Sequence, residues 1–372
     1  MQFKLNTKPN NDPEMDNIKQ FEGQEVSIEE LLIWCSENDC SDLYIKEFDY
    51  PYISRFGKIV KIPCVPISRD VWMEFQDDFI SNEMNDTYMV NRMLDTAIEV
   101  EIPKDSPFYG QYNDYYYRYR ASFGFSTDVR IGTFRMIRPE QPSFETINYP
   151  DICRQALDFA YKNRTGIIFF TGATGSGKTT TQVAAMNDFT QPGNILDNKV
   201  IISLEDPIEY KFTSTDSTKF NQKELGKDFI SYDLGIKQAL REHPNIIIVG
   251  ECRDKPVINA AIEAARTGHL VTTSFHASNV GGTISRLSFH LGGDINLIYD
   301  LIINLRIIIS QKLIPSDTGY IVDTQYMIFN NDITKRILEI IQSGNNISIE
   351  IDRMFNEPEL LDVGLVKDWD YK

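Results

Sequence analysis

The sequence of 372 residues predicts a two-part α/β fold, in which an α+β half precedes a half built on a mainly parallel sheet. In the first half, short runs with alternating apolar and polar residues lie between residues 42 and 137, which is typical of a hairpin-rich sheet. In the second half, apolar strand-like runs alternate with helical patterns, which favours parallel strands covered by helices. Two prolines in the polar segment 138–143 mark the boundary, because each biases the residue before it away from helix.

The first half is expected to begin with a loose arm and then a capped helix. Residues 1–24 are polar and include Pro9 and Pro13, so we expect a flexible arm there. Ser27 and Glu30 have the spacing of a helix capping box, and an apolar face follows them. The α+β domain is expected over residues 25–138, with a helical stretch at 71–93 and strands at 43–45, 52–56, 59–62, 97–102, 115–125 and 131–137.

The second half is expected to contain a linker, a domain and an extension. The linker is placed at residues 139–148, and the domain at 149–315. A mainly helical C-terminal extension is expected over residues 316–372, with one strand-like piece at 320–329. The predicted strands of the domain are 166–171, 199–204, 245–249 and 270–274.

The composition excludes several classes of protein. Hydrophobic residues make up 42% of the chain and charged residues 24%, which is typical of a globular protein and not of a disordered or fibrous one. The formal net charge of -17 disfavours direct binding to nucleic acid, because it repels a phosphate backbone. The start of the chain lacks the apolar core of a secretory signal, so we expect no export. We also expect no membrane span, since the most apolar stretch, 295–313, is interrupted by Asn296, Asp300, Asn304, Arg306 and Lys312.

The cysteines indicate a reducing compartment. They are odd in number and scattered, and no Cys-x-x-Cys pair occurs among them. We therefore expect structural thiols in a cytosolic protein at Cys35, Cys40, Cys64, Cys153 and Cys252.

A phosphate-binding loop is indicated at residues 172–179, which read Gly-Ala-Thr-Gly-Ser-Gly-Lys-Thr and match the full Walker A pattern. Glycines let backbone N–H groups converge on phosphate oxygens, and the start of a helix favours the same anion. Lys178 is predicted to reach the β and γ phosphates, and the Thr179 hydroxyl to bind Mg²⁺. A chance match is rejected, because an apolar strand-like run precedes the loop and helical sequence follows it.

Acidic residues follow two further strand-like runs. Glu205, Asp206 and Glu209 come directly after the run 200–204, at the end where parallel sheets hold ligands. One such carboxylate could polarise an attacking water, although a solvated acidic turn is the alternative interpretation. Glu251 follows the run 246–249 and is predicted to lie on the Mg²⁺ side of the site, as in a Walker B segment; the alternative is a surface glutamate at a strand end.

Two of the four histidines flank the apolar run 270–274. A histidine at a strand end, such as His269 or His276, can bind a γ-phosphate or relay its presence to a neighbouring subunit. A packing role for each of them is an equally supported alternative, and both interpretations stay open.

The order of these motifs resembles the secretion and pilus ATPase superfamily. The four motifs are Gly-Ala-Thr-Gly-Ser-Gly-Lys-Thr, Leu-Glu-Asp-Pro-Ile-Glu, Ile-Ile-Val-Gly-Glu-Cys-Arg-Asp and Thr-Gly-His-Leu-Val-Thr-Thr-Ser-Phe-His. In their residues, the motifs are most similar to those of the branch of type IV pilus retraction and Dot/Icm-type secretion or conjugation ATPases. The resemblance covers residues 40 to 315 and implies a PAS-like N-terminal domain and a RecA-like phosphate-loop domain.

The resemblance also implies roles for residues. Catalysis is assigned to Lys178, Glu209, Glu251 and His276, and Mg²⁺ binding to Thr179 and Glu251. Arg118, Arg120 and Arg135 are candidates to reach a neighbour's nucleotide, although alternating outward charge on a strand explains each of them equally well. The full set of expected ATP-binding residues is Gly172, Thr174, Gly175, Ser176, Gly177, Lys178, Thr179, Thr180, Arg118, Arg120, Arg135 and His269.

The activity implied is that of a homohexameric, ATP-hydrolysing motor in the cytoplasm. It is expected to associate peripherally with the inner face of the membrane, through a platform or secretion-channel protein, and to need ATP and Mg²⁺. A zinc site is not expected, because Cys-x-x-Cys is absent. Asn245 stands where the family often has aspartate, and residues 274–277 replace a more usual Thr-Leu-His-Thr, but neither change removes an assigned group. The alternative functions are a nucleotide-switched ring scaffold and a small-molecule kinase.

Overall fold

The structure is a computed structural model and describes residues 16–38, 40–55, 58–110, 115–137, 141–316, 319–362 and 366–368. It divides into two compact units, residues 1–140 and 141–372. The boundary between them falls within the segment that the sequence suggests as a linker. Each unit has its own sheet and its own core, and each is described by itself.

The first unit is built on an antiparallel sheet, which has six strands among the described residues, in the order β3-β2-β1-β6-β5-β4. Its elements, in chain order, are α1 Ile28–Glu37, β1 Asp42–Lys46, β2 Tyr52–Arg55, β3 Lys58–Lys61, α2 Arg69–Phe79, α3 Asn82–Asn91, β4 Leu94–Glu101, β5 Tyr116–Ser126 and β6 Val129–Ile137. This arrangement confirms the predicted α+β half with its hairpin-rich sheet.

Local capping explains where the helices of this unit begin. In α1, the Glu30 backbone N–H donates to Ser27 Oγ at 3.0 Å, and the Ser27 N–H donates to Glu30 Oε2 at 2.9 Å. The predicted capping box is therefore confirmed. The single helical stretch predicted at 71–93 is wrong, because it is two helices. The backbone is extended at Ile80, and Ser81 caps the new helix by accepting from the Met84 N–H.

The core of the first unit lies on one face of its sheet. Tyr117, Tyr119 and Phe134 are each at most 1% exposed and belong to one apolar cluster with residues of α1 and α2. Because side chains alternate across a strand, the residues between them point to the opposite face. Arg118 and Arg120 are therefore on the face away from this core.

The flexible arm predicted over residues 1–24 does not extend that far. Residues 1–15 lie outside the described residues, but Asp16–Phe21 form a 3₁₀ helix. Ile18 and Phe21 are buried, and the Phe21 ring packs edge-on against Trp34 at 5.5 Å between centroids. These apolar contacts hold the segment on the unit, so the prediction is wrong from Asp16 onward.

The second unit is built on a sheet of eight strands among the described residues, in the order β14-β13-β12-β7-β11-β10-β8-β9. The neighbours from β12 to β9 are parallel, and β13 and β14 are antiparallel additions. The elements are α4 Asp151–Tyr161, β7 Gly166–Thr171, α5 Lys178–Phe189, β8 Val200–Glu205, β9 Lys219–Glu224, α6 Tyr232–Ala239, β10 Ile246–Glu251, α7 Lys255–Arg266, β11 Leu270–Phe275, α8 Val280–His290, α9 Ile295–Asn304, β12 Leu305–Ser316, β13 Gly319–Ile328, α10 Asn331–Ser343, α11 Ile347–Met354, α12 Pro358–Asp362 and β14 Val366–Asp368.

Apolar residues cover both faces of this sheet. Every residue of β7 is buried; Ile167 and Phe169 belong to one apolar cluster, whereas Ile168 and Phe170 belong to another. A strand that is buried on both faces is apolar at consecutive positions, so β7 could be predicted from the sequence. The predicted strands of this half match β7, β8, β10 and β11 within two residues at each end, which confirms them.

Part of the predicted linker is packed onto the second unit. The Phe144 N–H donates to Asp188 Oδ2 at 2.9 Å, and the Phe144 ring lies 5.3 Å from that of Phe189. Gln141 also donates to the Lys211 carbonyl at 3.1 Å. Residues 138–140, where the predicted boundary segment (138–143) and linker (139–148) begin, lie outside the described residues. The linker prediction is therefore wrong for residues 141–148, because Phe144 is buried in the second core.

The predicted strand-like piece and helices of the C-terminal extension are confirmed, but the strand belongs to the main sheet. The strand-like piece expected at 320–329 is β13, a long strand that pairs with β12 from Ile307↔Ile328 to Ser316↔Gly319 and so extends the parallel sheet. The apolar stretch 295–313 splits between α9 and β12. In the part of the chain that the structure describes, no helix has both the length and the apolar character needed to span a bilayer.

Candidate functional site

Parallel strands bring the predicted motifs to one edge of the second sheet. In the register of β7 and β11, Thr171 pairs with Phe275. In the register of β10 and β11, Glu251 pairs with Ser274. The residues that follow β7, β10 and β11 therefore lie side by side at the carboxyl edge of the sheet, where parallel sheets hold ligands.

The Walker A residues form a turn between β7 and α5 that suits an anion. Helix α5 begins at Lys178, and its N-cap is Gly177, whose φ is +83°. The first N–H groups of a helix lack intrahelical acceptors and carry partial positive charge, so they favour a phosphate. Within the turn, Thr174 and Gly175 are exposed and Ser176 is buried, while Thr179 and Thr180 at the start of α5 are half-buried.

Lys178 lies inside this turn. The residue is 8% exposed, and its Nζ donates to the carbonyls of Gly172 at 3.0 Å and Ala173 at 2.8 Å. Burial lowers the pKa of the Lys178 ammonium, and the nearby Glu251 carboxylate opposes that shift. Among the described residues, the Lys178 ammonium is hydrogen-bonded to these two carbonyls, so it is well placed to gain from an incoming anion.

Glu251 and His276 are brought together beside Lys178. Glu251 Oε1 lies 3.2 Å from His276 Nε2, and Glu251 Oε2 accepts from Arg253 Nε at 2.7 Å. The Glu251 side chain is 18% exposed. Arg253 was not assigned a role from the sequence, although its position two residues after Glu251 could have indicated this contact.

Strand β8 ends at a buried carboxyl, that of Glu205, which is one of the three acids predicted at this strand end but was given no role of its own. Glu205 is 7% exposed, and its Oε1 accepts from Ser203 Oγ at 2.7 Å and from Gln222 Nε2 at 3.0 Å. Burial raises the pKa of the Glu205 carboxyl, against these hydrogen bonds and one from the Glu209 backbone. Glu209, the predicted catalytic acid, is half-buried in the acidic turn that follows β8. A carboxyl with a raised pKa is suited to accept a proton, so Glu205 joins Glu209 as a candidate base.

The two predicted site histidines lie at opposite ends of β11. His276 follows the strand at the carboxyl edge, but His269 precedes it, and its Nδ1 is 3.2 Å from the Ala264 carbonyl. Six extended residues separate the two, which is about 20 Å at roughly 3.3 Å per residue. The prediction that His269 binds nucleotide is therefore wrong for a nucleotide held by the loop of its own chain.

The three predicted arginines lie in the first unit. Arg118 is 9% exposed, and its Nε donates to Glu99 Oε1 at 3.1 Å. Arg135 Nε donates to Asp42 Oδ1 at 2.8 Å. Arg120 pairs with Arg135 across β5 and β6, so the three arginines share the face of the sheet that is turned away from its tyrosine core. Their role toward a neighbour's nucleotide stays a prediction.

The donor set fits Mg²⁺ bound together with phosphate. In the described ranges, no group of three or more His, Cys, Asp or Glu side chains forms a metal-binding cluster. Mg²⁺ is usually held by one or two protein groups plus phosphate oxygens and waters, not by a complete protein cage. The Thr179 hydroxyl at the start of α5 and the Glu251 carboxylate supply oxygen donors of that kind. The cysteines Cys35, Cys40, Cys64, Cys153 and Cys252 are buried.

A comparison of sequences decides the family. The sequence profile of the family described as type II/IV secretion system protein matches residues 85–341. The chain belongs to this family. The type IV pilus ATPase PilU of Pseudomonas aeruginosa is 27% identical to this secretion ATPase over 296 residues, which cover 79% of this chain and 72% of that protein.

Solved structures agree with the family and with the fold of the secretion ATPase. The crystal structure of the pilus retraction motor PilT with bound ADP has a TM-score of 0.73 at 26% identity, covering 89% of this chain and 90% of that one. The X-ray structure of the ATPase DotB of Legionella pneumophila has a TM-score of 0.71 at 26% identity, covering 87% and 88%. The protein is thus an ATP-hydrolysing enzyme with an N-terminal domain and a RecA-like C-terminal domain.

Proposed function

We propose that this secretion ATPase is a homohexameric motor, which works in the cytoplasm at the inner face of the membrane and powers a type IV secretion, conjugation or pilus machine. One observation carries the proposal: Lys178, Glu251 and His276 lie together at the carboxyl edge of the second sheet, next to a complete Walker A turn. The resemblance to PilU, PilT and DotB supports the kind of machine, and an inner-membrane platform or secretion-channel protein is the expected partner.

In this proposal, the Walker A turn and the start of α5 hold the phosphates of ATP. Lys178 exchanges its bonds with the Gly172 and Ala173 carbonyls for bonds with phosphate oxygens, which the buried ammonium favours. Thr179 and Glu251 would hold Mg²⁺ together with the phosphates. The metal, when bound, neutralises negative charge on the β and γ phosphates.

The acidic turn prepares the attacking water. Glu209 orients the water, as the resemblance implies, and Glu205 accepts its proton, since burial raises the pKa of that carboxyl. His276 contacts Glu251 and is therefore placed to sense whether the metal-side carboxylate is engaged. Arg253 binds the other oxygen of Glu251 and would share that carboxylate with a bound metal ion.

Assembly completes the site in this proposal. Arg118, Arg120 or Arg135 of a neighbouring subunit neutralises charge on the transferred phosphoryl group, a contribution worth roughly 10³–10⁵ in rate in other phosphate-loop enzymes. Closure around Mg-ATP biases a rigid-body equilibrium between the two domains, with the segment 138–143 as hinge.

Two measurements test this function. Steady-state phosphate release should be abolished in Lys178→Ala, while full activity of that variant would end the proposal. Specific activity should fall on dilution to monomers, as followed by analytical ultracentrifugation of the same samples. Turnover that does not depend on concentration would contradict catalysis in trans, and a ring that binds ATP without releasing phosphate would favour a nucleotide-switched scaffold.

A further inference from the structure

Gln311 of β12 contacts the Walker A turn from the side. In the register of β12 and β7, Ser310 pairs with Thr171, so Gln311 stands next to Gly172, the first residue of the turn. Gln311 is 3% exposed, and its Nε2 donates to the Ser176 carbonyl at 2.8 Å. The contact joins residues that are 135 positions apart in the chain.

The turn is shaped around this residue. A Cβ on Gly172 would lie 2.3 Å from the Gln311 backbone oxygen, and a Cβ on Gly177 would lie 3.2 Å from Gln311 Nε2. The backbone oxygen of Gln311 therefore requires glycine at position 172, where the turn starts. The side chain of Gln311 packs closely against Gly177, where the turn ends. Gln311 contacts the turn at Gly172, Ser176 and Gly177.

The hydrogen bond sets the direction of one peptide group. In a trans peptide, the carbonyl and the following N–H point in opposite directions. Because Gln311 binds the Ser176 carbonyl, the Gly177 N–H points away from Gln311. Glycine tolerates φ of either sign, so the peptide between Ser176 and Gly177 can reverse at little cost once that bond is lost. Reversal would turn a carbonyl oxygen, in place of an N–H, toward the side where the Gly177 N–H now points.

We propose that Gln311 is a positioning residue for nucleotide binding. It acts through the peptide between Ser176 and Gly177, whose N–H it keeps available for a phosphate oxygen before the nucleotide arrives. A donor fixed in advance favours binding, because no ordering of the turn is then needed when the ligand binds. This role rests on the proposed binding of phosphate by the Walker A turn.

The test compares Gln311→Met with a matched control, Gln76→Met. Methionine keeps the volume of glutamine but cannot donate a hydrogen bond. Gln76 belongs to the first unit, is 2% exposed and donates through Nε2 to Asn85 Oδ1. Within the part of the chain that the structure describes, neither Gln311 Oε1 nor Gln76 Oε1 has a hydrogen-bond partner, so the two amides are alike in burial and bonding.

Titration calorimetry with ADP and steady-state ATPase assays give the readouts. Gln311→Met should weaken ADP binding about tenfold, which corresponds to about 1.4 kcal/mol, and should raise KM for ATP more than it lowers kcat. Gln76→Met should bind ADP like the wild type, even if its thermal midpoint falls. Wild-type ADP affinity in Gln311→Met, or equal losses in both variants, would overturn the proposal.

A second variant and a measurement on the wild-type protein complete the test. If Gln311→Met does not fold, Gln311→Asn retains the amide but is one methylene too short to reach Ser176, and the same loss of ADP affinity is expected. Unchanged affinity in Gln311→Asn would likewise overturn the role. The binding of ADP to the wild-type protein is measured first. If the wild-type protein does not bind ADP, the proposed nucleotide site itself is refuted. If the wild-type protein binds ADP and the Gln311 variants bind it equally well, only the role of Gln311 is refuted.

Discussion

Replacement of Glu205 by glutamine should stabilise the second unit and at the same time remove turnover. The Glu205 carboxyl is buried, so its ionised form is costly in the folded protein. Ser203 Oγ and Gln222 Nε2 both donate to the same oxygen, Oε1. The amide oxygen of a glutamine can accept both of these bonds without a charge to desolvate. The carboxylate also accepts a bond from the Glu209 backbone N–H, and the weakening of that bond offsets part of the gain. Glutamine cannot accept the proton of an attacking water.

The size and the pH dependence of this effect follow from the raised pKa. Single stabilising substitutions commonly add about 0.5–2 kcal/mol, and about 1 kcal/mol raises the thermal midpoint by roughly 2–4 °C in a unit of this size. The pKa of Glu205 in the folded protein lies above its ordinary value of 4.5. The contribution of Glu205 to wild-type stability should therefore fall as the pH rises from 4.5 through the raised pKa, so the advantage of Glu205→Gln over the wild type should grow across this range. The difference should vanish at lower pH, where the carboxyl is protonated in both states.

Thermal unfolding across this pH range and phosphate release at neutral pH are the measurements. Loss of a general base should lower kcat about 10²–10⁴-fold with ADP affinity preserved. Glu209→Gln is the control for stability: its half-buried carboxyl should yield no comparable gain, although its turnover should also fall. A lower midpoint for Glu205→Gln at neutral pH would refute the reasoning about burial, and retained turnover would refute the role as base.

Two other substitutions test the rest of the site. Mg²⁺ should increase the affinity for ADP, and Glu251→Gln should reduce that increase by about tenfold or more, because a carboxylate on the metal side is lost. The increase is measured by titrating ADP in the presence of Mg²⁺ and in the presence of EDTA. An increase as large as in the wild type would contradict the assignment of Glu251. Gln222→Met should lower kcat about tenfold with little change in KM. Gln222 donates to Glu205 and to the Tyr210 carbonyl at 2.8 Å, and it accepts from the Phe212 N–H at 2.7 Å. It therefore holds the acidic turn that contains Glu209. A rise in KM with kcat unchanged would show that Gln222 serves nucleotide binding instead.

Much of the fold could be predicted because its signals are local. The run 167–170 is apolar at every position, as expected for a strand buried on both faces, and the glycines and lysine after it mark the turn to α5. Ser27 and Glu30 indicated the start of α1 through a contact over three residues. Such features need only neighbouring residues, so composition and spacing reveal them.

The errors in the fold concern segments whose state depends on distant partners. Phe144 packs against Phe189, and Phe21 against Trp34, so polar neighbours in the sequence concealed residues that are buried by the fold. Strand β13 extends the main sheet only because β12 pairs with β7, across more than a hundred residues of chain. Pairing of this kind is a property of the assembled sheet and leaves little local pattern.

The sequence by itself determined the phosphate-binding turn, the roles of Lys178 and Thr179 as predictions, and the family to which the chain belongs. Only the tertiary structure decided which other side chains gather around that turn. It placed His276 at the carboxyl edge and His269 at the amino edge, buried the Glu205 carboxyl, and brought Gln311 against Ser176. The physical reason is that a motif specifies residue types and spacing, whereas burial, pKa and hydrogen bonding depend on strands that meet only after folding.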